Sequence, residues 1–442
     1  MKHSVVLDYK RCRGCTTCIK SCPTEAIRVR SGKAAILNAR CIDCGRCIQV
    51  CPHKAIHSLS DPMEVLTRYR YNVALPDPAL YGQFQNLEDV DLVLNGLLKI
   101  GFHAVYEIAK ADELLSDYAR QCISAGETAP KPQITSACPA VTRLICMRFP
   151  KLIDHIAPVA TPLELAGILA RREAIERTGF ASEEIGVFVI SPCSAQVTAA
   201  HSPENEAVNG AISVRDIYLA LLGPMKELED PEPMASAGIM GVGRACTGGE
   251  SAARLREKYI AVGGIENVIR VLEELEDGRL SDADFVELAA CDEGCVGGCL
   301  NVENPFGAQM HLKKLMRGLP VSKNRFTFQG DDRKIAEQTV PLNYSPVFAL
   351  DANLETAMEK MSRIEALATT LPGLHCGSCG APSCHAFAED VVLGRADPED
   401  CIFKMRARMQ NMTGDEGVDS YLPAPFRKWK APKDPPQGAS ER

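Results

Sequence analysis

Apolar segments with the spacing of strands and of helices alternate through the middle of the chain, between residues 61 and 345. Short apolar runs predict strands, and apolar residues that recur every three or four positions predict amphipathic helices. The clearest predicted strands are 71–75, 132–135, 186–190 and 285–289, and the clearest predicted helices are 162–177 and 251–259. Strands that alternate with helices are typical of an α/β domain with largely parallel sheets, which is the fold class expected here.

The pattern changes on both sides of this region and divides the chain into four parts. Residues 1–60 are short, cysteine-dense and internally repeated, whereas 350–410 open with a predicted helix, 354–368, and continue into a second cysteine-rich stretch. Residues 411–442 are rich in proline, glycine and charge and contain the single tryptophan, Trp429. We therefore expect domains at 1–60, 61–345 and 350–410, followed by a tail that is either loosely ordered or docks a partner.

Composition excludes several functional classes. The formal net charge of -8 over 442 residues argues against a nucleic-acid surface, which needs clustered lysine and arginine to neutralise phosphates. No apolar run approaches the roughly 18 residues of a membrane span. The first eight residues lack the apolar stretch of a signal peptide. The expected location is the cytoplasm.

Twenty cysteines are unusual for such a chain. Because disulfides are not maintained in a reducing cytosol, this number points to metal sites. Sixteen of the cysteines fall into four groups, whereas Cys122 and Cys146 stand alone in helical segments, where we expect them to lie in the core.

Residues 1–60 carry the same cysteine run twice, as C-x2-C-x2-C-x3-C-P followed by an Ala-Ile pair. This is the bacterial 4Fe–4S pattern, in which three ligands are local and the fourth comes from the other run. Zinc is the alternative, but it prefers paired C-x2-C knuckles separated by a long gap. The expected ligand sets are Cys12, Cys15, Cys18 and Cys51 for one cluster, and Cys41, Cys44, Cys47 and Cys22 for the other.

Four further cysteines, far apart in the sequence, each follow a predicted strand: Cys138, Cys193, Cys291 and Cys295. Reactive sites of α/β sheets gather outside the carboxyl ends of the strands, so these four thiolates could converge on one cubane. Gly294, Gly297 and Gly298 would let the backbone approach an inorganic cofactor closely.

The loops that carry these cysteines resemble the three signature loops of FeFe-hydrogenases. They read Thr135-Ser-Ala-Cys-Pro139, Ser191-Pro-Cys-Ser-Ala195 and Ala290-Cys-Asp-Glu-Gly-Cys-Val-Gly-Gly298, and the resemblance covers about residues 1–310. It implies a two-cluster ferredoxin-like module, a two-lobed α/β domain and an H-cluster, that is, a 4Fe–4S cubane bridged through Cys295 to a diiron subsite with CO, cyanide and azadithiolate. The implied activity is the reversible conversion of H2 to protons and electrons, which leave through the N-terminal clusters.

Three positions depart from the catalytic pattern of that family. Ala137 stands where the family has a cysteine that passes protons to the cofactor, Gln196 replaces a lysine, and Ser191 replaces a methionine. A missing acid–base group costs on the order of 10²–10⁴-fold in rate. These changes resemble the sensory branch of the family, in which slow turnover serves hydrogen detection and a redox or signalling protein receives the output.

Cys246 and Glu250 are candidates for a replacement proton relay, because the family has a glycine-rich segment near the cofactor at this point. The alternative is that Cys246 packs against the start of a helix and Glu250 caps that helix. Cys299 is either an additional ligand or a thiol that lies behind the ligands.

The last group of cysteines, Cys376, Cys379, Cys384 and Cys401, resembles the small, mostly helical 4Fe–4S domain of electron-transport complex B subunits. A helix at 385–393 should follow the third ligand, and its N-terminal dipole favours an anionic cluster. Zinc is again the alternative. This cluster would be a second electron exit or the signal output, and it brings the expected cofactors to three 4Fe–4S clusters plus the H-cluster.

A second function fits the same cysteines: a hydrogenase-like protein with cubanes only, for electron transfer or iron–sulfur assembly, without a diiron site. The double ferredoxin run, the glycine-rich third loop and the C-terminal unit favour the hydrogenase interpretation.

Overall fold

The computed structural model describes residues 3–125, 130–338 and 340–413, and it has the mixed α/β fold expected from the sequence pattern. Trp429 and the tail predicted around it lie outside the described residues. Among the helices within those ranges, none is both long enough and apolar enough to cross a bilayer.

The N-terminal unit is built from two short antiparallel ladders, Val5–Leu7 with Ile56–Ser58 and Ile27–Arg30 with Lys33–Ile36. Two short helices, Thr17–Lys20 and Arg46–Val50, contain the last local cysteine before each Cys-Pro pair. The Ala-Ile pairs that follow both cysteine runs are buried in the core of the unit, as expected for a duplicated structure with a shared centre.

The first lobe of the central region surrounds a fully parallel four-stranded sheet. Its strands, in spatial order, are Ala104–Val105, Tyr71–Pro76, Ile185–Ser191 and Gly210–Ser213. The two middle strands are buried along their whole lengths, which explains why they read as continuous apolar runs.

The second lobe contains a smaller parallel sheet of three strands. In spatial order these are Tyr259–Gly263, Phe285–Ala289 and Gln133–Ile134. Helices pack on both sheets, at Val90–Lys99, Ile108–Ser124, Pro139–Arg148, Pro162–Thr178, Ser194–Ala200, Val214–Leu221, Ile239–Val242, Gly249–Ala253, Ile265–Glu276 and Pro305–Met316.

The helix predicted at 251–259 is wrong. The helix there spans Gly249–Ala253, and Leu255 then adopts a left-handed conformation with φ 53°, which ends it. The following residues form the edge strand Tyr259–Gly263 beside Phe285–Ala289. Pairing with a buried neighbour strand therefore outweighs the helical spacing of the apolar residues in this segment.

The C-terminal unit consists of the helices Leu354–Thr369, Cys384–Val392 and Ile402–Thr413. Ile364 and Phe387 are almost fully buried and form its small core together with Cys401. Short 3-10 turns connect elements throughout the chain, at Asn38–Arg40, Met63–Arg68, Pro78–Gln83, Pro150–His155, Ser182–Glu184, Pro224–Glu227, Gly243–Ala245, Cys295–Gly297, Gly330–Ala336 and Pro398–Asp400.

Candidate active site and cluster sites

The four dispersed cysteines come from both lobes. Cys193 follows the strand Ile185–Ser191 of the larger sheet, whereas Cys138 and Cys291 follow strands of the smaller sheet. Cys295 opens the turn Cys295–Gly297. All four line a single cavity of about 610 Å³, so the structure brings them together between the two sheets.

The crowding of these thiols has an electrostatic consequence. Burial raises the pKa of Cys291 well above that of a free thiol, and the neighbouring Cys193 and Cys138 raise it further. The pKa of Cys193 is raised by burial first and then by Cys299 and Cys138. Thiolates gathered in this way need a cation between them, and thiolates are the ligands of iron–sulfur clusters.

The cavity also contains buried polar atoms that have no protein partner. Gln196 donates from Nε2 to Oδ2 of Asp77 at 3.3 Å, but its Oε1 is buried and makes no hydrogen bond. Thr247 Oγ1, in the same cavity wall, is likewise buried without a partner. Such atoms are expected where a bound group supplies the missing partner, so the lining fits a cofactor that carries polar ligands.

The central cavity is much larger than the cavity at the N-terminal thiols. The cavity between Cys12, Cys15, Cys18 and Cys51 is only about 20 Å³, against about 610 Å³ for the central one. The cysteines of the N-terminal cavity have the bacterial pattern that binds one 4Fe–4S cluster. The central residues therefore leave room for a cubane and a second group beside it.

Ala137 lies in the wall of this cavity, one residue before Cys138. Its backbone N–H donates to Thr135 Oγ1 at 3.3 Å, and Thr135 Oγ1 donates to Glu250 at 2.6 Å. The methyl side chain itself offers no proton. Ser191 does not line the cavity; its hydroxyl donates to the backbone oxygen of Cys193 at 2.9 Å and so holds the second loop.

Glu250 is a buried member of an ion-pair network rather than a helix cap. Its carboxylate lies 3.1 Å from Arg244 and 2.9 Å from Arg254. Burial opposes its ionisation, but Arg244, Arg254 and the Thr135 hydroxyl outweigh that effect and lower the pKa. The capping alternative is wrong because these side chains, and not the N–H groups of the helix, bind the carboxylate.

Cys246 and Cys146 also line the cavity. Burial raises the pKa of Cys246 to about 11, so its thiol keeps its proton at neutral pH. Cys146 is buried, as expected, although the cavity reaches it. Cys122 is half-buried on the helix Ile108–Ser124, where Arg333 donates to its sulfur at 3.3 Å.

Asp77 is a lining residue that the sequence pattern alone did not single out. It follows the strand Tyr71–Pro76, at the same end of the sheet as Cys193, and it is only 5% exposed. Burial raises its pKa, with hydrogen bonds from Ala79 and Gln196 acting in the opposite direction. The rule that pointed to the cysteines, side chains just after parallel strands, also applies to this carboxyl.

The eight N-terminal cysteines are arranged as two sets. Cys12, Cys15, Cys18 and Cys51 line one cavity. The pKa of Cys47 is raised well above its usual range by burial and then by the nearby Cys44, Cys22 and Cys41. Each terminal cysteine accepts a hydrogen bond from a backbone N–H four residues later: Ala26 to Cys22 at 3.2 Å, and Ala55 to Cys51 at 3.3 Å.

Cys299 lies between this second set and the central cavity. A Cβ built on Gly45, next to Cys44, would come within 2.5 Å of the Cys299 sulfur. Ser194, next to Cys193, lies 3.5 Å from the same sulfur and donates to the backbone oxygen of Asp43 at 2.7 Å. The ferredoxin unit and the central site are therefore in direct contact through these residues.

The cysteines of the C-terminal unit are also neighbours. Burial raises the pKa of Cys379, and Cys376 and Cys401 raise it further. Cys384 begins the helix Cys384–Val392, whose first turn is capped by Ser383 through a hydrogen bond from Ala386 N at 3.0 Å. The Cys384 N–H donates to His375 Nδ1 at 3.0 Å, which ties the third cysteine to the loop before the first.

Comparison with protein families covers all three units. Residues 71–259 and 252–299, together more than half of the chain, match the family described as iron only hydrogenase large subunit, C-terminal domain. The chain belongs to the iron-only hydrogenase family. Within this hydrogenase-family chain, residues 4–52 match a 4Fe-4S dicluster domain, and 371–403 match a family whose description as an Fe–S cluster domain is provisional.

Two curated relatives are distant in sequence. The periplasmic iron hydrogenase large subunit of Nitratidesulfovibrio vulgaris is 29% identical over 296 residues, which are 59% of this chain and 69% of that protein. Iron hydrogenase 1 of Clostridium pasteurianum is 21% identical over 254 residues, covering 47% of this chain and 44% of that protein. The chain thus spans less than half of the second relative.

Solved structures of FeFe-hydrogenases resemble the fold. A structure from work on oxygen inactivation of the enzyme matches with a TM-score of 0.48 and 13% identity, over 64% of this chain and 98% of the other. A variant of HydA1 from Chlamydomonas reinhardtii matches with a TM-score of 0.47 and 14% identity, again over 64% of this chain and 98% of the other.

Proposed function

We propose that this member of the iron-only hydrogenase family holds an H-cluster and converts H2 to protons and electrons slowly, as a hydrogen or redox sensor. Cys138, Cys193, Cys291 and Cys295 would hold it. When bound, the H-cluster would supply the site at which the H–H bond is split or formed. The observation that carries the proposal is the common cavity, lined by these four thiols and by unpartnered polar atoms, with Ala137 in its wall.

The polypeptide would bind and orient the cofactor but provide a poor proton path. The Ala137 side chain holds no proton, and Cys246 Sγ keeps its proton because its pKa is about 11. The Glu250 carboxylate is held as an anion between two arginines. Burial raises the pKa of three lining carboxyls, Asp77, Asp112 and Glu287. Asp112 is paired with Arg244 and Glu287 accepts from the Ser251 hydroxyl, whereas Asp77 accepts from Gln196 of the second loop, so we propose the Oδ atoms of Asp77 as the proton carrier.

The three other cysteine quartets would hold 4Fe–4S clusters that pass electrons between the central site and a redox or signalling partner. The cytoplasm is the proposed location, because a reducing compartment keeps twenty cysteines free for metal. The expectation of no nucleic-acid partner is retained from the net charge of -8.

Infrared spectroscopy tests the proposal. The cluster-loaded protein is supplied with the diiron cofactor, and bands are sought in the CO and cyanide stretching region. We expect bands in the parent protein and none in Cys291→Ala, which lacks one thiol of the cradle. If fully cluster-loaded parent protein shows no bands, the chain carries cubanes only and the hydrogenase proposal is wrong.

A further inference from the structure

The C-terminal unit is docked on the ferredoxin unit, although the two lie at opposite ends of the chain. We infer that the C-terminal cluster is the next electron relay after the ferredoxin pair, in series with the cluster of Cys12, Cys15, Cys18 and Cys51. The inference rests on the 4Fe–4S assignments of the proposed function but not on its diiron subsite.

Buried ion pairs hold the two units together. Asp390 accepts from Arg28 Nε at 2.6 Å and from Arg30 Nη2 at 2.7 Å, and its side chain is only 1% exposed. The adjacent Glu389 accepts from Arg40 Nη1 at 3.1 Å, and both of those side chains are also buried. These charge-assisted hydrogen bonds are shielded from water and fix the orientation of the two units.

The alternation of side chains along one ferredoxin strand places the contact beside a cluster site. In Ile27–Arg30, Arg28 and Arg30 point toward the C-terminal unit, whereas the side chain of Val29 lines the cavity of Cys12, Cys15, Cys18 and Cys51. One strand therefore separates the C-terminal unit from that cavity.

The backbone that carries the C-terminal cysteines touches this strand directly. Val29 N donates to Gly380 O at 2.7 Å, and Arg30 Nη1 donates to the backbone oxygen of Cys379 at 3.0 Å. On the other side of the cysteine loop, Lys20 Nζ donates to His375 O at 2.7 Å. Electron tunnelling weakens steeply with distance, so a path of one hydrogen bond and one strand favours transfer between these two clusters.

Gly380 makes the close approach possible. It adopts a left-handed conformation with φ 78°, and a Cβ at this position would lie 1.9 Å from Val29 O. Any other residue would have to push the cysteine loop away from the strand.

The charge of the interface suits two anionic clusters. Among the described residues that make these contacts, the four cations Lys20, Arg28, Arg30 and Arg40 outnumber the two carboxylates Glu389 and Asp390, an excess of two positive charges. Positive charge placed there reduces the repulsion when both clusters are reduced. In the transfer, one electron leaves the ferredoxin cluster and reduces the C-terminal cluster by one unit, and a one-electron acceptor protein then oxidises that cluster. No bond is broken or formed.

On its other face, the ferredoxin unit contacts the central region that contains the cavity. There, Gly45 and Asp43 contact Cys299 and Ser194, next to the cluster site of Cys22, Cys41, Cys44 and Cys47. The strand that lines the cavity of Cys12, Cys15, Cys18 and Cys51 contacts the C-terminal unit directly, so we place the C-terminal site last in the series; Arg40, next to Cys41, also pairs with this unit.

The test uses the full chain with reconstituted 4Fe–4S clusters and no diiron subsite, so the result does not depend on hydrogenase activity. After reduction with dithionite, electron paramagnetic resonance should detect magnetic interaction between the C-terminal and ferredoxin clusters. The interaction should disappear in Gly380→Ala and persist in Gly394→Ala. The control shares the left-handed conformation, at φ 71°, but its Cβ would have nothing within 4 Å.

Two further measurements, one on the parent protein and one on a second variant, keep the inference testable if Gly380→Ala loses its cluster. The Val29 amide, which donates to Gly380 O, should exchange its hydrogen slowly in the parent. Removing the C-terminal cluster by Cys379→Ser should abolish the part of the splitting that this cluster causes and leave only the interaction within the ferredoxin pair. A parent spectrum without interaction, or a Gly380→Ala spectrum that keeps it with full iron content, would overturn the inference.

Discussion

At the scale of single residues, the central cavity gathers the four dispersed thiols, but several candidate relay positions carry side chains that are poorly suited to moving a proton. Ala137 is the clearest case, because the position before Cys138 carries a proton-relay cysteine in the catalytic members that the loop resembles. The neighbouring Thr135 hydroxyl is occupied by Glu250 and by the Ala137 N–H. We therefore propose that the side chain at 137 limits proton delivery to the cofactor.

Ala137→Cys should raise the rate of hydrogen evolution, by at most about 10²–10⁴-fold, the range typical of general acid–base groups. The measurement is hydrogen evolution by cofactor-loaded protein with unchanged infrared bands. Ala137→Val is the matched control, because valine is close to cysteine in size but carries no acidic proton. Equal rates for the cysteine variant and the parent would mean that another step limits turnover.

Asp77→Asn should lower hydrogen evolution by about 10²-fold, because the amide cannot carry the proton of the carboxyl. The local fold should survive, since asparagine also caps helices and Asp77 accepts from Ala79 N at the start of the turn Pro78–Gln83. Asp89→Asn is the control: Asp89 caps the helix Val90–Lys99 in the same way but is exposed and outside the cavity. A similar loss of rate in both variants would assign Asp77 a capping role only.

At the scale of elements, Glu250 connects three segments of the site through Thr135, Arg244 and Arg254. Glu250→Gln leaves the buried Arg254 guanidinium without its anion, whereas Arg244 keeps Asp112 at 2.8 Å, and the change should lower the free energy of unfolding by about 3–5 kcal/mol. Glu273→Gln is the control, since it breaks an exposed pair with Arg148 that is worth at most about 1 kcal/mol. Urea denaturation of both variants in the same cofactor state measures the difference.

The free energies of unfolding of the parent and of Glu250→Gln should depend differently on pH. Folding lowers the pKa of Glu250, so its stabilising contribution is present above the ordinary glutamate value of 4.5 and is lost as the pH falls through the folded value. The stability gap between the parent and Glu250→Gln should therefore narrow on acidification. A gap that stays constant from neutral pH to pH 3 would contradict the ion-pair assignment.

The close contact of two cofactor loops depends on a glycine. A Cβ on Gly298 would lie 2.2 Å from Pro192 O, so Gly298→Ala should push the loop of Cys295 away from that of Cys193. Iron analysis should find a loss of about four iron atoms per chain, the content of one cubane. In the control, Gly223→Ala, the backbone φ is also negative and the new Cβ has nothing within 4 Å, so its iron content should equal that of the parent.

Much of this arrangement could be predicted from the sequence, because its signals are local. The short spacing within each duplicated cysteine run brings its cysteines close together, and the rule that reactive side chains follow parallel strands pointed to Cys138, Cys193 and Cys291. The segment 251–259 was mispredicted because its apolar spacing fits a helix, whereas strand pairing is a long-range interaction. The contact of Arg28 with Asp390 spans 362 positions, and no local pattern encodes it.

At the scale of the whole molecule, the three units are in direct contact with one another through the ferredoxin unit. The ferredoxin unit contacts the central site through Gly45 and Cys299 on one side, and it contacts the C-terminal unit through Val29 and Gly380 on the other. Its two contact regions lie beside different cluster sites, although Arg40, next to Cys41, also pairs with Glu389 of the C-terminal unit. A unit with two clusters in this position can pass electrons between the central cavity and the C-terminal cluster site.

Cross-donation within the ferredoxin unit gives a test of this arrangement. Cys51 belongs to the second cysteine run but lines the cavity of Cys12, Cys15 and Cys18. Cys51→Ser should therefore remove about four iron atoms and the cluster next to the C-terminal unit, while the cluster next to Cys299 remains. Magnetic resonance should then find the C-terminal cluster isolated, whereas Cys122→Ser, which changes a half-buried thiol outside the quartets and outside the central cavity, should leave every signal in place. Loss of the cluster of Cys41, Cys44 and Cys47 instead would mean that each run binds its own fourth ligand.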